Sequence, residues 1–430
     1  MRKYLHGIIM ICFAMVIATS IVGCTSESAS SGSVGSANNE QSQAMENAPV
    51  SAEPVTLKIW THADDQPVTE LMCNNFKAAH PEYDLTFEWG QLGADLTVPQ
   101  LKVDADAAAD VLIIPSGAIP ELVEAGLLLP ITVDKAEIES IHAEGAIKGC
   151  TFEDLLYAVP VTPNSFFMYY DKSKYTEEEV LSLETMLAKD LGPDIKNFSH
   201  QISNSWFLGG FFYANGCTLF GPDGDDPTEC SWNTPQGIQV GEYLIDLAHN
   251  PKYVEDRDGI AGTMMREGKL AALCSGIWAA DSMKEILGDN LGATKLPTIK
   301  IGGVEKQLSN FADFKCYAVK SATKYPKAAQ LLAAWLCNEE SQLMRFEERS
   351  EAPTIKSLTD NPSVAANVPV AGLSLQIRYS TPNPTSSKLN DYWAPAEALG
   401  TGIYEGSVTK ENLQEKLDAC VEAILAKLTS

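Results

Sequence analysis

Apolar and polar positions alternate along the first part of the chain in a way that predicts strands separated by helices. Residues 55–60 and 85–89 alternate apolar and polar side chains, and residues 111–114 form a short continuous apolar run, which together predict three strands. Residues 68–79 carry apolar side chains at helical spacing between the first two strands. This alternation is typical of a doubly wound α/β domain with a largely parallel sheet.

In the second part, the spacing of apolar residues mostly predicts helices. An apolar strand is expected to end at Gly276, with Trp278 displayed just beyond it, and residues 310–319 predict a strand that returns toward the first part. The predicted helices cover residues 177–189, 206–214, 326–336 and 410–428, with Thr409 as the N-cap of the last, and another helix begins at Thr234 and Pro235.

Residues 156–175 connect the two parts and contain Pro160 and Pro163. Because proline fixes φ and donates no hydrogen bond to a sheet, neither proline is expected in the middle of a strand. The segment therefore predicts an extended crossing between two bodies. An ordinary loop between two strands of one sheet is the alternative.

Length and composition bound the class of protein. At 430 residues the chain exceeds what one hydrophobic core usually holds, so two lobes are expected, and 45% apolar with 20% charged residues is typical of a globular protein. The formal charge of −26 argues against nucleic acid as a partner, since phosphate binding requires a clustered basic surface. The ten cysteines lack zinc-binding spacing, and neither a metal nor a cofactor is expected. Cys217 and Cys230 flank one loop and either bridge it or remain buried thiols.

The N-terminus has the layout of a secretory leader. Two basic residues at 2–3 precede an apolar run over 8–18, which suits a signal peptide and is too short to span a membrane as a helix. The residues before Cys24 resemble a bacterial lipobox, whose cysteine is acylated, and a plain signal peptide is the alternative. We therefore expect a signal peptide over 1–23 and a lipid-anchored flexible tether over 24–53, which has too few large apolar residues to fold.

Four stretches of the expected mature chain carry a resemblance to a known family. They are LKIWTHADD at 57–65, YAVP followed by YYDK within 157–172, GKLAALCSGIW at 268–278, and the long segment from NFADFK to SEAP at 310–353. In this order and at these intervals they resemble extracellular solute-binding proteins of ABC importers. Within that class they are most similar to the maltose/maltodextrin-binding lipoproteins of Gram-positive bacteria.

This resemblance implies an α/β, two-lobed periplasmic-binding-protein fold of type II, with discontinuous lobes joined by hinge crossings. It places lobe 1 at 54–161 and 314–358, and lobe 2 at 164–309 and 359–430. It also favours the interlobe crossing for the proline-containing segment. In one departure Asp313 stands where the family commonly has glycine, which puts an acid near the hinge and bears on which ligand fits.

The resemblance also implies which residues contact a ligand. Sugars present apolar C–H faces and polar rims, so a site for them needs flat aromatic side chains beside carboxylates and amides. The candidates are Trp278, Trp206, Tyr392, Trp393, Asp64 and Asn164, with His62 and Trp89 as further candidates from the first lobe. Core packing is the alternative for each tryptophan and is favoured for Trp60 and Trp335, which sit inside strand and helix patterns. A solvated turn is the alternative for Asp64.

As function, the resemblance implies a binding lipoprotein and not an enzyme. It implies that the protein captures a sugar between its lobes, with maltose or a malto-oligosaccharide as the expected ligand. Its implied partners are the transmembrane subunits of a permease with a separate ATPase, and it is expected to be a monomer, lipid-anchored at the extracellular face of the cytoplasmic membrane. Two alternatives stay open: a binder of a polyamine or peptide, since the chain is acidic, and an extracellular glycoside hydrolase, since 57 acidic residues offer many carboxylate pairs.

Overall fold

The computed structural model describes residues 53–359, 361–386 and 388–426. The predicted signal peptide, Cys24 and all but the last residue of the predicted tether lie outside these ranges. The strands within them are β1 (Glu53–Thr61), β2 (Tyr83–Gln91), β3 (Val111–Pro115), β4 (Thr151–Phe152), β5 (Leu155–Leu156), β6 (Ala158–Asn164), β7 (Phe166–Asp171), β8 (Phe198–His200), β9 (Tyr253–Glu255), β10 (Ala272–Gly276), β11 (Leu291–Thr294), β12 (Thr298–Ile301), β13 (Val304–Gln307), β14 (Phe311–Val319) and β15 (Thr381–Pro382).

The helices of the described ranges are numbered in chain order. They are α1 (Gln66–Ala79), α2 (Ala94–Val103), α3 (Ile119–Glu124), α4 (Lys135–Ile141), α5 (Glu144–Gly149), α6 (Leu183–Ala188), α7 (Ser205–Ala214), α8 (Pro235–Ala248), α9 (Ile260–Arg266), α10 (Ala280–Leu287), α11 (Pro326–Trp335), α12 (Glu339–Arg349), α13 (Lys356–Thr359), α14 (Pro362–Ala365), α15 (Val368–Gln376), α16 (Leu389–Glu405) and α17 (Leu413–Leu425). Among these helices, none is both long and apolar enough to cross a membrane.

The first sheet has six strands, in the order β15-β14-β3-β1-β2, with β6 paired to β14. β1 is parallel to β2 and β3, whereas β14 runs antiparallel to both β3 and β6. The three strands predicted from the pattern are parallel as expected, and β15 is parallel to β14, but the antiparallel pairing of β14 with β3 and β6 makes the sheet mixed. Apolar periodicity marks a strand but not its direction, and the direction of β14 is set by the distant part of the chain from which it returns.

The second sheet, in the order β11-β7-β10-β8-β9, is covered on both faces. Along β7 the side chains of Phe166, Met168 and Tyr170 point into one apolar core, and those of Phe167 and Tyr169 point into another. Successive side chains of a strand face opposite sides of the sheet, so a strand that is covered twice must be apolar throughout. This is why the FFMYY run shows no alternation.

Two chain passages join the sheets, and they are tied to each other. β6 belongs to the first sheet and β7 to the second, so the chain passes between them at the buried Ser165. β14 likewise begins with Phe311 in the core of the second sheet and continues with Cys316 in the core of the first. The Ser165 hydroxyl donates to the Phe311 carbonyl at 2.8 Å and accepts from the Asn310 side chain at 2.7 Å.

Pro160 and Pro163 both lie within β6, so the prediction that neither occupies a strand interior is wrong. β6 pairs with β14 and is placed at the edge of the sheet. The pairing register shifts between Lys315, which pairs with Thr162, and Cys316, which pairs with Pro160. An edge strand with a bulge tolerates residues that lack a backbone donor.

One helix start departs from prediction, and another is confirmed but lacks a side-chain cap. The last helix begins at Leu413, with Asn412 in the N-cap position, and Thr409 donates its backbone N–H to the Asn412 side chain at 2.7 Å. Thr234 does precede α8, but its hydroxyl donates to the Ser231 carbonyl at 2.7 Å and caps no N–H of the helix. Threonine and asparagine side chains can each make several local hydrogen bonds, so the residue type alone does not decide which bond forms.

All eight cysteines of the described ranges are buried free thiols. Cys217 and Cys230 therefore do not bridge their loop, and the alternative of buried thiols is confirmed. Burial raises the pKa of Cys217 to about 12 and that of Cys230 to about 11. Both side chains behave as small apolar groups in the core of the second sheet.

The buried His200 should make the stability of the fold depend on pH in the acid range. The ring is buried among aromatic side chains, and within the described ranges neither of its nitrogens has a hydrogen-bond partner. Burial lowers its pKa to about 3. The unfolded chain takes up a proton near the ordinary pKa of about 6.5, so this histidine destabilises the fold as the pH falls below that value.

Replacing His200 with phenylalanine should remove this effect. The gain in unfolding free energy of His200→Phe over the wild type should be about 2–3 kcal/mol larger at about pH 4.5 than at about pH 7.5, because only the wild type is destabilised by acid through this residue. Urea unfolding at the two pH values measures both differences. Equal differences at the two values would show that His200 does not titrate between the folded and unfolded states.

Candidate ligand-binding site

A cavity of about 930 Å³ opens between elements of the first sheet and elements of the second. This volume lies within the range of small-molecule sites in proteins. The first-sheet side contributes the end of β1, the start of α2 and the end of β3, and the second-sheet side contributes the starts of α7 and α16 and the turn after β10. Three of the seven tryptophans line it: Trp206, Trp278 and Trp393.

Trp278 is the most exposed of these tryptophans, with 40% of its surface accessible. It follows β10 in a short 3-10 turn, where the preceding residue, Ile277, is buried, while the indole lies over Gly276 and lines the cavity. Gly276 makes this arrangement possible, because a Cβ on that residue would coincide with the indole ring. The prediction that Trp278 is displayed after the glycine is confirmed, while its role as a ligand contact stays a prediction.

Trp206 and Trp393 form a partly buried aromatic wall. Trp206 is the second residue of α7, and its backbone N–H donates to the Asn204 cap at 2.9 Å. Its ring stacks on Phe311, with centroids 5.5 Å apart and planes inclined by 27°, and it lies 6.3 Å from Trp393. The wall is therefore fixed by packing before any ligand arrives.

Tyr392 does not line the cavity, so its expected position beside a ligand is wrong. Its side chain is fully buried, and its hydroxyl donates to the Ser205 carbonyl at 2.7 Å. Tyr392 and Trp393 are neighbours on α16, and consecutive helical residues point about 100° apart, so only one can face the cavity. Tyr392 instead fixes α16 against α7.

The first-sheet wall carries His62, Asp64 and Asn164, as predicted for their positions. His62 caps the turn after β1, where its Nδ1 accepts the Asp64 N–H at 3.2 Å. Both side chains are more than half exposed. Asn164 ends β6 and lines the cavity beside Asp313. Trp89 is not among the lining residues, and its ring packs partly buried near Phe87.

The floor of the cavity is a network of buried charges. Lys315 pairs with Glu351 at 3.2 Å, and the buried Arg345 lies 3.9 Å from the same carboxylate. Burial lowers the pKa of Lys315, but the charges of Glu351 and Asp65 outweigh burial and raise it. Burial raises the pKa of Asp65, but Lys315, Arg345 and Arg349 together hold it below its usual value. The network therefore keeps Lys315 and Asp65 ionised.

Polar contacts reach across the cavity from one side to the other. Arg349, at the end of α12, bonds Asp65 at 3.0 Å and Asp281, on α10, at 3.2 Å. Glu121 on α3 makes a second such contact, because it pairs with Lys102 and accepts from the Asn390 side chain on α16. These contacts hold the two sides together.

The sequence did not indicate the floor or the cross-cavity contacts. Asp65 and Arg349 are 284 positions apart, and no local spacing signals such a pair.

Trp60 is buried and Trp335 is partly buried, with its N–H donating to the Met72 carbonyl at 3.1 Å, which confirms core packing for both. In the part of the chain that the structure describes, no three His, Cys, Asp or Glu side chains are grouped to hold a metal ion.

Comparison with known proteins identifies the class of this chain. A family model described as bacterial extracellular solute-binding protein matches residues 72–372. The galactooligosaccharide-binding protein of Bacillus subtilis (strain 168) is 27% identical over 397 residues, which cover 87% of this chain and 90% of that protein. The maltodextrin-binding protein MdxE of the same strain is 23% identical, with coverage of 78% and 81%.

Solved structures agree with the sequence comparisons. One determined with acarbose is 32% identical and has a TM-score of 0.82, covering 86% of this chain and 98% of its own. The maltodextrin-binding protein MalE1 of L. casei BL23 without ligand is 24% identical, with a TM-score of 0.77 and coverage of 87% and 100%. The predicted two-lobed type II periplasmic-binding-protein fold is thereby confirmed. The chain belongs to the family of bacterial extracellular solute-binding proteins.

Proposed function

We propose that this protein is the sugar-binding component of an ABC importer and that it captures an oligosaccharide in the cavity. The observation that carries the proposal is that the aromatic wall of Trp206 and Trp393, together with Trp278, shares the cavity with carboxylates and amides. Indole faces cover the apolar C–H surfaces of a sugar ring, and carboxylates and amides accept and donate to its hydroxyl groups.

The names of the relatives support an oligosaccharide as the ligand. One relative is named for galactooligosaccharides, and others are named for maltodextrin or maltooligosaccharide. A maltooligosaccharide is our first candidate and a galactooligosaccharide the second. We propose that the bound sugar is held without being cleaved, so that it leaves the protein intact.

Capture requires the two lobes to close on the sugar. We place lobe 1 at 54–161 and 314–358 and lobe 2 at 164–309 and 359–430, with β6 and β14 as hinge strands. A ligand that contacts both lobes binds the closed form more tightly and shifts the equilibrium by that difference in affinity. The closed form then docks as a monomer on a permease that is driven by a separate ATPase.

The N-terminal segment fits a protein that works at the cell surface. We propose that Cys24 is acylated and that residues 24–53 tether the lobes at the extracellular face of the cytoplasmic membrane. A single acyl chain gives only marginal membrane binding, so a cysteine with two or more chains suits stable anchoring. Relatives named as solute-binding lipoproteins support this part of the proposal.

Calorimetry on the purified chain without its leader tests the proposal. We expect maltotriose or β-1,4-galactotriose to bind with a Kd of about 1 μM, which corresponds to about −8 kcal/mol. X-ray scattering should show a smaller radius of gyration when that sugar is present, and chromatography should recover the trisaccharide unshortened. Absence of binding to both sugars would contradict sugar capture, and shortened products would make the protein an enzyme.

A further inference from the structure

Asp313 sits in the cavity with an unsatisfied oxygen. It lies on β14 opposite Asn164 of β6, only 4% of its surface is exposed, and it lines the cavity. Its Oδ2 accepts the Asn383 side-chain N–H at 3.1 Å. Within the described ranges, its Oδ1 has no hydrogen-bond partner, and neither does the buried Oδ1 of Asn383.

The backbone fixes the Asn383 amide in this orientation. The Asn383 N–H donates to the Ala312 carbonyl at 3.2 Å, which holds the residue beside β14. Gly117 leaves the space that the amide occupies, because a Cβ there would lie 2.6 Å from its Nδ2. With Nδ2 directed to the Asp313 carboxylate, the oxygen of the amide faces away from it. The hydrogen-bonded pair of Asp313 and Asn383 therefore carries two acceptor oxygens that lack partners within the described ranges.

We propose that Asp313 and Asn383 form an acceptor pair that binds two hydroxyl groups of one sugar unit and thereby selects which oligosaccharide is retained. This inference rests on the proposed function. A carboxylate and an amide oxygen can only accept, so the group that completes them must donate twice, as two hydroxyls of one ring do. A buried acceptor without a partner is costly, and a sugar that satisfies both acceptors gains this energy on binding.

The neighbouring charge favours hydroxyl donors over a cationic amine. Lys315 lies two residues from Asp313 on the same strand and is kept ionised by its pairing with Glu351. An ammonium group at Asp313 would meet this like charge at short range, which disfavours it. Neutral hydroxyl groups do not have this penalty.

The pair also makes binding depend on pH. Burial raises the pKa of Asp313 to about 7, although the Asn164 side chain and the Gly117 N–H, which lie near the carboxyl without completing a hydrogen bond to Oδ1, and the Lys315 charge all act in the opposite direction. Asn164, Gly117 and Asn383 face it from neighbouring elements and are uncharged. The other ionisable side chains of the cavity are His62, Asp64, Asp65, Asp95, Lys102, Lys315, Arg349 and Glu351. A protonated Asp313 loses one acceptor site, so affinity should fall as the pH falls below about 7.

Titration of the wild type and of Asp313→Asn with maltotriose and with β-1,4-galactotriose, each at about pH 8 and about pH 5.5, tests the inference. The wild type should bind one of them about tenfold more weakly at the lower pH. Asp313→Asn should bind that sugar about tenfold more weakly than the wild type at about pH 8 and should lose the pH dependence. A pH dependence that arises at another group of the cavity would persist in this variant.

Asp84→Asn is the matched control, since Asp84 is an exposed carboxylate on β2 outside the cavity, and it should bind as the wild type does. Asn383→Ser provides a second variant in case Asp313→Asn does not fold, and it should also weaken binding about tenfold. Wild-type affinity and an unchanged pH profile in Asp313→Asn would overturn the acceptor pair while leaving sugar capture intact. A wild type that binds neither trisaccharide would overturn both.

Discussion

Replacing Trp278 with alanine should weaken oligosaccharide binding about 30-fold while leaving the fold intact. The indole is 40% exposed in the free protein and stands on a turn after β10, so its removal opens little core. Losing an aromatic anchor that a ligand buries costs about 2 kcal/mol, which corresponds to this change in Kd. Isothermal calorimetry with the trisaccharide that the wild type binds measures the effect.

Two further variants separate stacking from general damage. Trp89→Ala removes a tryptophan that does not line the cavity and should leave Kd within about twofold of the wild-type value. Trp278→Phe keeps a flat ring and should retain most of the affinity. If Trp278→Ala bound the trisaccharide as tightly as the wild type, this indole would not be part of the site.

The displayed position of Trp278 was predictable because its signal is local. A glycine between a buried strand and a tryptophan marks a place where a large side chain can fold back over bare backbone. Tyr392 and Trp393 were both expected beside a ligand because no helix was predicted over Leu389–Glu405, where α16 contains Pro395 in its interior. On a helix, Leu389, Tyr392, Ala396 and Ile403 recur on one buried stripe, which explains why Trp393 faces out.

The opening strands of the first sheet followed from apolar patterns and the two-lobed layout from length and resemblance, but the strands' directions and the cavity floor did not. A run such as VLIIP reports that β3 is buried and says nothing about whether its neighbour β14 is parallel. The floor joins residues from the turn after β1, from β14 and from α12, which are far apart in the chain. Ion pairs over such separations are a product of the completed fold, so single-sequence patterns do not contain them.

Replacing Glu351 with alanine should destabilise the protein by about 3–5 kcal/mol. Glu351 is buried and is the carboxylate nearest to both Lys315, at 3.2 Å, and Arg345, at 3.9 Å. Removing it leaves two cations in the floor without their partner, and an uncompensated buried charge costs about this much. The free energy of unfolding from urea titration, monitored by tryptophan fluorescence, measures the change.

Glu348→Ala is the matched control, because Glu348 lies on the exposed face of α12 and its loss should change stability by no more than about 0.5 kcal/mol. Adding Lys315→Met to Glu351→Ala should recover part of the lost stability, since one orphaned cation is then removed. A loss below about 1 kcal/mol for Glu351→Ala, or additive effects in the double variant, would mean that water or Asp65 already compensates these cations. In that case the floor would be a loosely coupled set of charges, and the rigid base that a closing lobe needs would have to come from the apolar core of the first sheet instead.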